Sequence, residues 1–115
     1  MIKIKFSEEA KDAYDFLKKS SKASKKERMI LDSLTNKLKI LQENPHYGNP
    51  IRKSLIPSYY KKKYSANNLF RLELPQFWRL LYTLTNGDSE IEIIAFIIDV
   101  IDHKEYNKKF GYAKR

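Results

Sequence analysis

Hydrophobic positions along the chain fall into three rhythms. Residues 1–6, Met-Ile-Lys-Ile-Lys-Phe, alternate apolar and basic, which predicts a short strand with Ile2, Ile4 and Phe6 on one face. From residue 8 the spacing becomes helical. Ala10, Ala13, Tyr14 and Leu17 form the apolar stripe of a first helix from about Glu8 to Lys19. Ile30, Leu31, Leu34, Leu38 and Leu41 form that of a second, from about Lys25 to Gln42. Ser7 reads as an N-cap, with Glu8 and Glu9 in the first turn, where the helix dipole favours acids. Ser24 and Glu27 have capping-box spacing, and Asn44-Pro45 ends the second helix. The polar connector Ser20–Ser24 folds the two into an antiparallel hairpin.

Period two returns at residue 69. In Leu69–Leu74, Phe70, Leu72 and Leu74 point inward, Arg71 and Glu73 outward. Pro75-Gln76 makes a turn. In Phe77–Thr85, one face carries Trp78, Leu80, Tyr82 and Leu84, and the other Arg79, Leu81 and Thr83. Asn86-Gly87-Asp88 signals a hairpin, and Glu90–Asp99 is apolar on both faces from Ile93 to Ile98, as in a central strand. His103–Phe110 predicts a short helix or an extended tail. Residues 45–66 have no rhythm: a turn at Tyr47–Pro50, apolar anchors at Ile51 and Leu55, then a Tyr/Lys run, together a long loop with at most one helical turn.

These elements give an α+β fold over one domain, residues 1–115, in the order β-α-α-β-β-β with a short C-terminal helix or tail. The expected sheet has four mainly antiparallel strands, the first beside the central one, with the helix hairpin on one face. The other face, carrying Arg71, Arg79, Leu81, Ile94 and Phe96, is expected to be open or partly covered by the tail.

Composition narrows the chemistry. An apolar fraction of 42% supports one modest core, and 13% aromatic residues argue against disorder. The absence of cysteine removes disulfides, thiolate metal sites and thiol nucleophiles. With two histidines, of which His46 has no partner at ligand spacing, neither a metal nor a cofactor is expected. No long apolar run or signal-peptide pattern is present, so no membrane partner and a cytoplasmic location are expected. The net charge of +9 lies entirely within residues 1–64, which hold sixteen Lys/Arg against seven acids. That imbalance favours a polyanion or an acidic protein as partner, or is a lysine-rich solvated surface.

Polar groups suited to phosphate chemistry interrupt the late strands. Arg79 lies mid-strand among large apolar side chains, where it needs a phosphate or an ion pair with Glu73 on the neighbouring strand. Arg71 is a second phosphate contact or a solvated strand residue. Glu73 could serve as a general base. His103 is an acid–base candidate, since histidine is the side chain type that changes charge near neutral pH, or a helix-start histidine bonded to Asp99 or Asp102. Tyr106 is a substrate platform or packs the tail on the sheet. Lys61, Lys62 and Lys63, flanked by Tyr60 and Tyr64, combine charge with rings for RNA, and Arg52 and Lys53 do so more weakly.

The order and spacing of Phe6-Ser7, Leu41-Gln-Glu-Asn-Pro45, Trp78-Arg-Leu-Leu-Tyr82 and His103-Lys-Glu-Tyr106 resemble the RelE/ParE superfamily of toxins, also described as plasmid stabilisation proteins. The similarity is greatest to a RelE-like subgroup ending in His-Lys-Glu-Tyr and Phe-Gly-Tyr. It implies the toxin of a type II toxin–antitoxin pair: a hydrolase-type endoribonuclease that cuts mRNA on the ribosome and inhibits translation. Its partners would be a cognate antitoxin, the ribosome and mRNA. Cleavage would proceed by 2′-hydroxyl attack on the scissile phosphate.

On this resemblance Arg79 contacts the scissile phosphate and Tyr106 stacks on the base or assists proton transfer. Arg71 occupies a position where the group has a lysine. Glu73 occupies a second such position, a departure that removes a cation. His103 lies near a segment where other members use arginine or histidine. The alternatives are a ParE-like gyrase inhibitor, an RNA-binding relative without the chemistry, and a structural protein.

Overall fold

Two serines set where the helices begin. The Ser7 side chain accepts the Ala10 amide at 3.0 Å and donates to the Ile98 carbonyl at 2.6 Å, so one residue caps the first helix and ties it to the sheet. Ser24 caps the second helix and pairs with Glu27 as a capping box. The computed structural model describes residues 2–87 and 92–111. Its elements are β1 (Ile2–Phe6), α1 (Glu8–Ser20), α2 (Lys25–Glu43), β2 (Asn49–Pro50), α3 (Ser58–Tyr64), β3 (Phe70–Glu73), β4 (Arg79–Asn86), β5 (Ile93–Ile101) and α4 (His103–Phe110). Single 3-10 turns at Lys53–Leu55 and Pro75–Phe77 join them. The expected hairpin turn at residues 86–88 lies partly outside the described residues, as does Tyr112.

The α+β class is as expected, but the sheet has five strands, not four, in the order β1-β5-β4-β3-β2. The extra strand is the Asn49–Pro50 pair, which hydrogen-bonds to Phe70 and Arg71 at the sheet edge. A two-residue strand carries no alternation, so period counting cannot see it. β1 runs parallel to β5, and every other pairing is antiparallel. Tyr82 secures the approach to β2. Its hydroxyl donates to the Pro45 carbonyl at 2.7 Å and accepts the Gly48 amide at 2.9 Å. A Cβ on Gly48 would sit 2.8 Å from the Tyr82 ring, so glycine is required by this close approach.

The helix hairpin packs its stripe on one face of the sheet: Leu17, Ile30, Leu34 and Leu41 meet Leu72, Leu80, Tyr82, Ala95, Ile97 and Val100. Each such buried aliphatic side chain contributes roughly 1.5–3 kcal/mol. The opposite face is a second core, not an open surface. Tyr60 of α3 and Tyr106 of α4 pack there with Leu81, Ile98 and Ile101, and Tyr64, Phe96 and Phe110 close its margins. The segment expected as a loop therefore holds a two-turn helix, anchored by the buried Tyr60 ring with Tyr64 at the margin.

A bulge in β5 makes the two faces compatible. Leu81 pairs with Asp99 but Tyr82 pairs with Ile97, leaving Ile98 as the extra residue. Ala95 and Ile97 face the helix hairpin, and after the bulge Val100 does so too. The shift puts Asp99 on the second face. There it accepts the Tyr60 hydroxyl at 2.8 Å and the Lys109 ammonium at 2.7 Å. Asp99 is 3% exposed, and this pair of donors satisfies it. Burial, with the Asp99 charge, pushes the Tyr60 hydroxyl far above the ordinary tyrosine range. Among the described residues no helix is long and apolar enough to cross a membrane.

Asp99→Ala should cost about 3–5 kcal/mol, because it leaves Lys109 and the Tyr60 hydroxyl without their buried acceptor. Asp15→Ala, which removes exposed pairs of 3.8 and 3.7 Å with Lys11 and Lys18, should cost no more than about 0.5–1 kcal/mol. Chemical denaturation of both variants checks the contrast.

Glu9 supplies a pH test. Burial alone would raise its pKa, but hydrogen bonds from Tyr64 and Tyr59, with the charges of Lys109 and Lys63, outweigh that and hold the carboxyl below its ordinary 4.5. The unfolded chain then binds the proton more readily, so this contribution is complete above the ordinary value and is lost as pH falls through the lower folded one. Glu9→Gln should flatten the stability profile below about pH 4.5 relative to wild type, measured by denaturation midpoints across that range.

Candidate functional site

Arg71 and Glu73 are two residues apart on β3 and so share a face, and Glu73 lies directly opposite Arg79 of β4. The Glu73 carboxylate bridges both arginines, one oxygen 3.0 Å from Arg71 Nε and the other 3.1 Å from Arg79 Nε. Neither contact is an aligned hydrogen bond, so the bridge is held by charge. The exposures are unequal: 14% for the Arg79 side chain, 33% for Arg71 and 55% for Glu73. An incoming anion would therefore meet the carboxylate first and could displace it outward into solvent.

Tyr106, on the first turns of α4, completes the cluster from beneath. Its hydroxyl accepts from Arg71 Nη1 at 2.9 Å. Its ring centroid lies 4.8 Å from the Arg79 guanidinium carbon and 5.9 Å from that of Arg71, within cation–π reach. Tyr106 is 3% exposed and stacks on Phe110 with centroids 4.4 Å apart. Asp102 caps α4 by accepting the Glu105 amide at 2.9 Å, and the Lys109–Asp99 pair anchors its far end. Of the two readings raised for Tyr106, the structure shows the packing one: the ring seats the helix on the sheet, and its hydroxyl also holds Arg71.

The β3–β4 turn bends sharply beside Arg79. Gln76 and Phe77 have φ of 60° and 62°, two successive non-glycine residues in the left-handed region. Each costs roughly 1–2 kcal/mol. Arg79 Nη1 donates to the Phe77 carbonyl and so braces the turn. The Phe77 ring is 70% exposed and stands 5.7 Å from the His103 ring. His103 Nε2 lies 3.1 Å from the Asn107 amide nitrogen. The expected histidine partners, Asp99 and Asp102, are both engaged elsewhere, and His103 sits on the border of the cluster.

The basic residues divide into separate groups. The first half is less uniformly basic than its total charge suggests. From Asn44 to Leu72 there is no acid, while Arg52, Lys53, Lys61, Lys62, Lys63 and Arg71 all fall there. This acid-free stretch is the sequence signal that marks the site's surroundings. Arg52 and Arg71 line a cleft of about 490 Å³ with Ile51, Leu55, Tyr106 and Phe110. Lys53 and Lys61 line a neighbouring cleft of about 380 Å³ behind the C-terminus of α3. Lys62 is exposed.

Lys63, the third lysine of the run expected to contact RNA, is engaged by α1 and Tyr59. Its ammonium lies 3.1 Å from the Tyr59 hydroxyl and 3.5 Å from Glu9. These contacts, the Tyr59 hydrogen bond foremost, hold its pKa above the ordinary lysine value. Tyr64 donates to Glu9 at 2.7 Å, and burial with that bond pushes its pKa up to about 12. Lys63 and Tyr64 thus fasten α3 to α1. Among the described residues, no three His, Asp or Glu side chains gather as metal ligands would.

No family model, curated protein or solved structure matches the chain. The functional reading therefore rests on the geometry of this site.

Replacing Glu73 with Gln should separate its two effects. Loss of the carboxylate under-neutralises the mostly buried Arg79 and should lower stability by about 1–2 kcal/mol. The same change should tighten inorganic phosphate binding several-fold at low salt. Thermal melts with and without phosphate report both, and the variant should gain more from phosphate than wild type does.

Proposed function

We propose that this chain is a RelE-like toxin of a type II toxin–antitoxin pair, an endoribonuclease that cuts mRNA on the ribosome. The observation that carries the reading is the convergence of Arg71 and Arg79 on one displaceable carboxylate above the Tyr106 hydroxyl. Two guanidiniums against one carboxylate leave a surplus positive charge at a site of restricted exposure, which is what a phosphodiester requires. The fold supports the same reading, since a helix hairpin covers one sheet face while the arginine strands meet the C-terminal helix on the other.

In this reading the scissile phosphate takes the place of the Glu73 carboxylate between the guanidiniums. The ribose 2′-oxygen attacks phosphorus as its proton passes to a base, and Glu73, displaced but adjacent, is the nearest carboxylate. Negative charge gathers on the non-bridging oxygens, where Arg79 and Arg71 stabilise it. The bond to the 5′-oxygen breaks as that oxygen gains a proton, giving a 2′,3′-cyclic phosphate and a 5′-hydroxyl. Arg71 donates to the Tyr106 oxygen, so the phenol proton points away from Arg71 and Tyr106 fits the acid. His103 would stand at the rim, beside Phe77. The ribosome would supply positioning that a chain this small does not. The ribosome would also fix the location as cytoplasmic, and an antitoxin would cover this cluster.

The test is a cell-free translation reaction with mRNA 5′ ends mapped. Wild-type protein should give codon-phased cuts only when ribosomes are present. Arg79→Ala should reduce them about 10²–10³-fold with the fold intact by circular dichroism. Intact mRNA together with blocked DNA supercoiling would replace this reading with gyrase inhibition. Bound but uncut RNA would reduce it to an RNA-binding relative.

A further inference from the structure

The cleft beside the arginine pair has a composition that phosphate binding alone does not explain. It is formed where the Asn49–Leu55 segment faces α4, and at about 490 Å³ it lies within the size range of small-ligand sites, roughly 300–1,000 Å³. One wall is apolar, built from Ile51, Leu55 and Phe110. Phe110 is already half of an aromatic stack with Tyr106. Arg52 and Arg71 supply two cations, and Asn49 contributes an amide with both a donor and an acceptor. Arg71 belongs to this cleft and to the arginine pair alike, so whatever binds here lies next to whatever binds between Arg71 and Arg79.

We propose that this cleft is a nucleotide subsite, holding the RNA nucleotide adjacent to the scissile phosphate. The base would lie against Phe110, Ile51 and Leu55, its phosphate would sit between Arg52 and Arg71, and Asn49 would read its edge. An aromatic ring with apolar neighbours, guanidiniums and an amide are a combination by which proteins hold unstacked bases. An acidic peptide would use the two arginines but has no need of the Phe110 ring and the apolar wall beside it. The proposal rests on the ribonuclease reading for its placement beside a scissile bond, and its binding test is independent of cleavage.

The probes are the four ribonucleoside 5′-monophosphates, with ribose 5-phosphate and a short polyglutamate peptide as comparisons, titrated onto the full chain by amide NMR. The nucleotides should shift amides of Asn49–Leu55, Arg71 and Phe110, and at least one base should bind about tenfold better than ribose 5-phosphate. Leu55→Trp, at a residue 51% exposed and so tolerant of substitution, should fill the cleft and abolish binding. Arg52→Ala should weaken it about tenfold. Asn49→Ala should narrow the preference among the four bases, in solution and in the positions cut on the ribosome.

Shifts equal for ribose 5-phosphate and every nucleotide, or produced by polyglutamate and not by nucleotides, would overturn the proposal. So would codon-phased cleavage unaffected by both Leu55→Trp and Asn49→Ala, an outcome that leaves the ribonuclease reading standing. Base-dependent binding by a protein that never cuts mRNA would do the reverse.

Discussion

The extra residue in β5 governs the architecture. Without the bulge at Ile98, strict alternation would put Asp99 on the same face as Ala95 and Ile97, a carboxylate inside the helix-covered core. With it, Val100 takes the core position and Asp99 turns to the other face, where Tyr60 and Lys109 reach it. Those two donors come from α3 and α4, so one local irregularity recruits both of the small helices that close the second face. The site inherits this dependence. Tyr106 lies one turn before Lys109 on α4, and its place beneath Arg71 and Arg79 follows from that anchor.

The arginine cluster shows how a cationic site can be built into a folded protein without an unpaired charge. Arg79 is mostly buried and would be costly alone; Glu73 answers it across the strand pair and answers Arg71 along the strand. Because Glu73 is the most exposed of the three, its carboxylate can swing away from the arginines without disturbing the strands. The left-handed turn at Gln76–Phe77 fits the same economy of construction: it holds the β3–β4 connection short, which keeps Glu73 and Arg79 in register opposite each other.

What the sequence disclosed follows from which interactions are periodic. The α1 and α2 boundaries were legible because Ser7 and Ser24 cap them, and their apolar stripes name the residues that pack. The Glu73–Arg79 pair was legible because alternation and a short turn fix which residues face each other. The second core was not. Tyr60 and Tyr64 stand in a Tyr/Lys run and Tyr106 in a polar tail, yet Tyr60 and Tyr106 bury as fully as leucine, Tyr64 lies at the margin, and the three hydroxyls find acceptors in Asp99 and Glu9 or, for Tyr106, a donor in Arg71. The bulge was hidden within an all-apolar stretch, Ile93–Ile98, where shifting register by one residue changes no pattern. The cleft beside Arg71 was hidden for another reason, since its walls come from segments about 50 residues apart in sequence and only packing brings them together.

The parallel pairing of β1 with β5 also bears on how the chain comes into being. Ile2 finds its partner at Ile93, and the Ser7 hydroxyl reaches the Ile98 carbonyl. The first strand made must therefore wait for the last. During synthesis the helix hairpin can form early from local contacts, but the sheet cannot close until β5 has left the exit tunnel, nor the arginine cluster gain Tyr106 until α4 has followed. The nascent chain thus carries no assembled site.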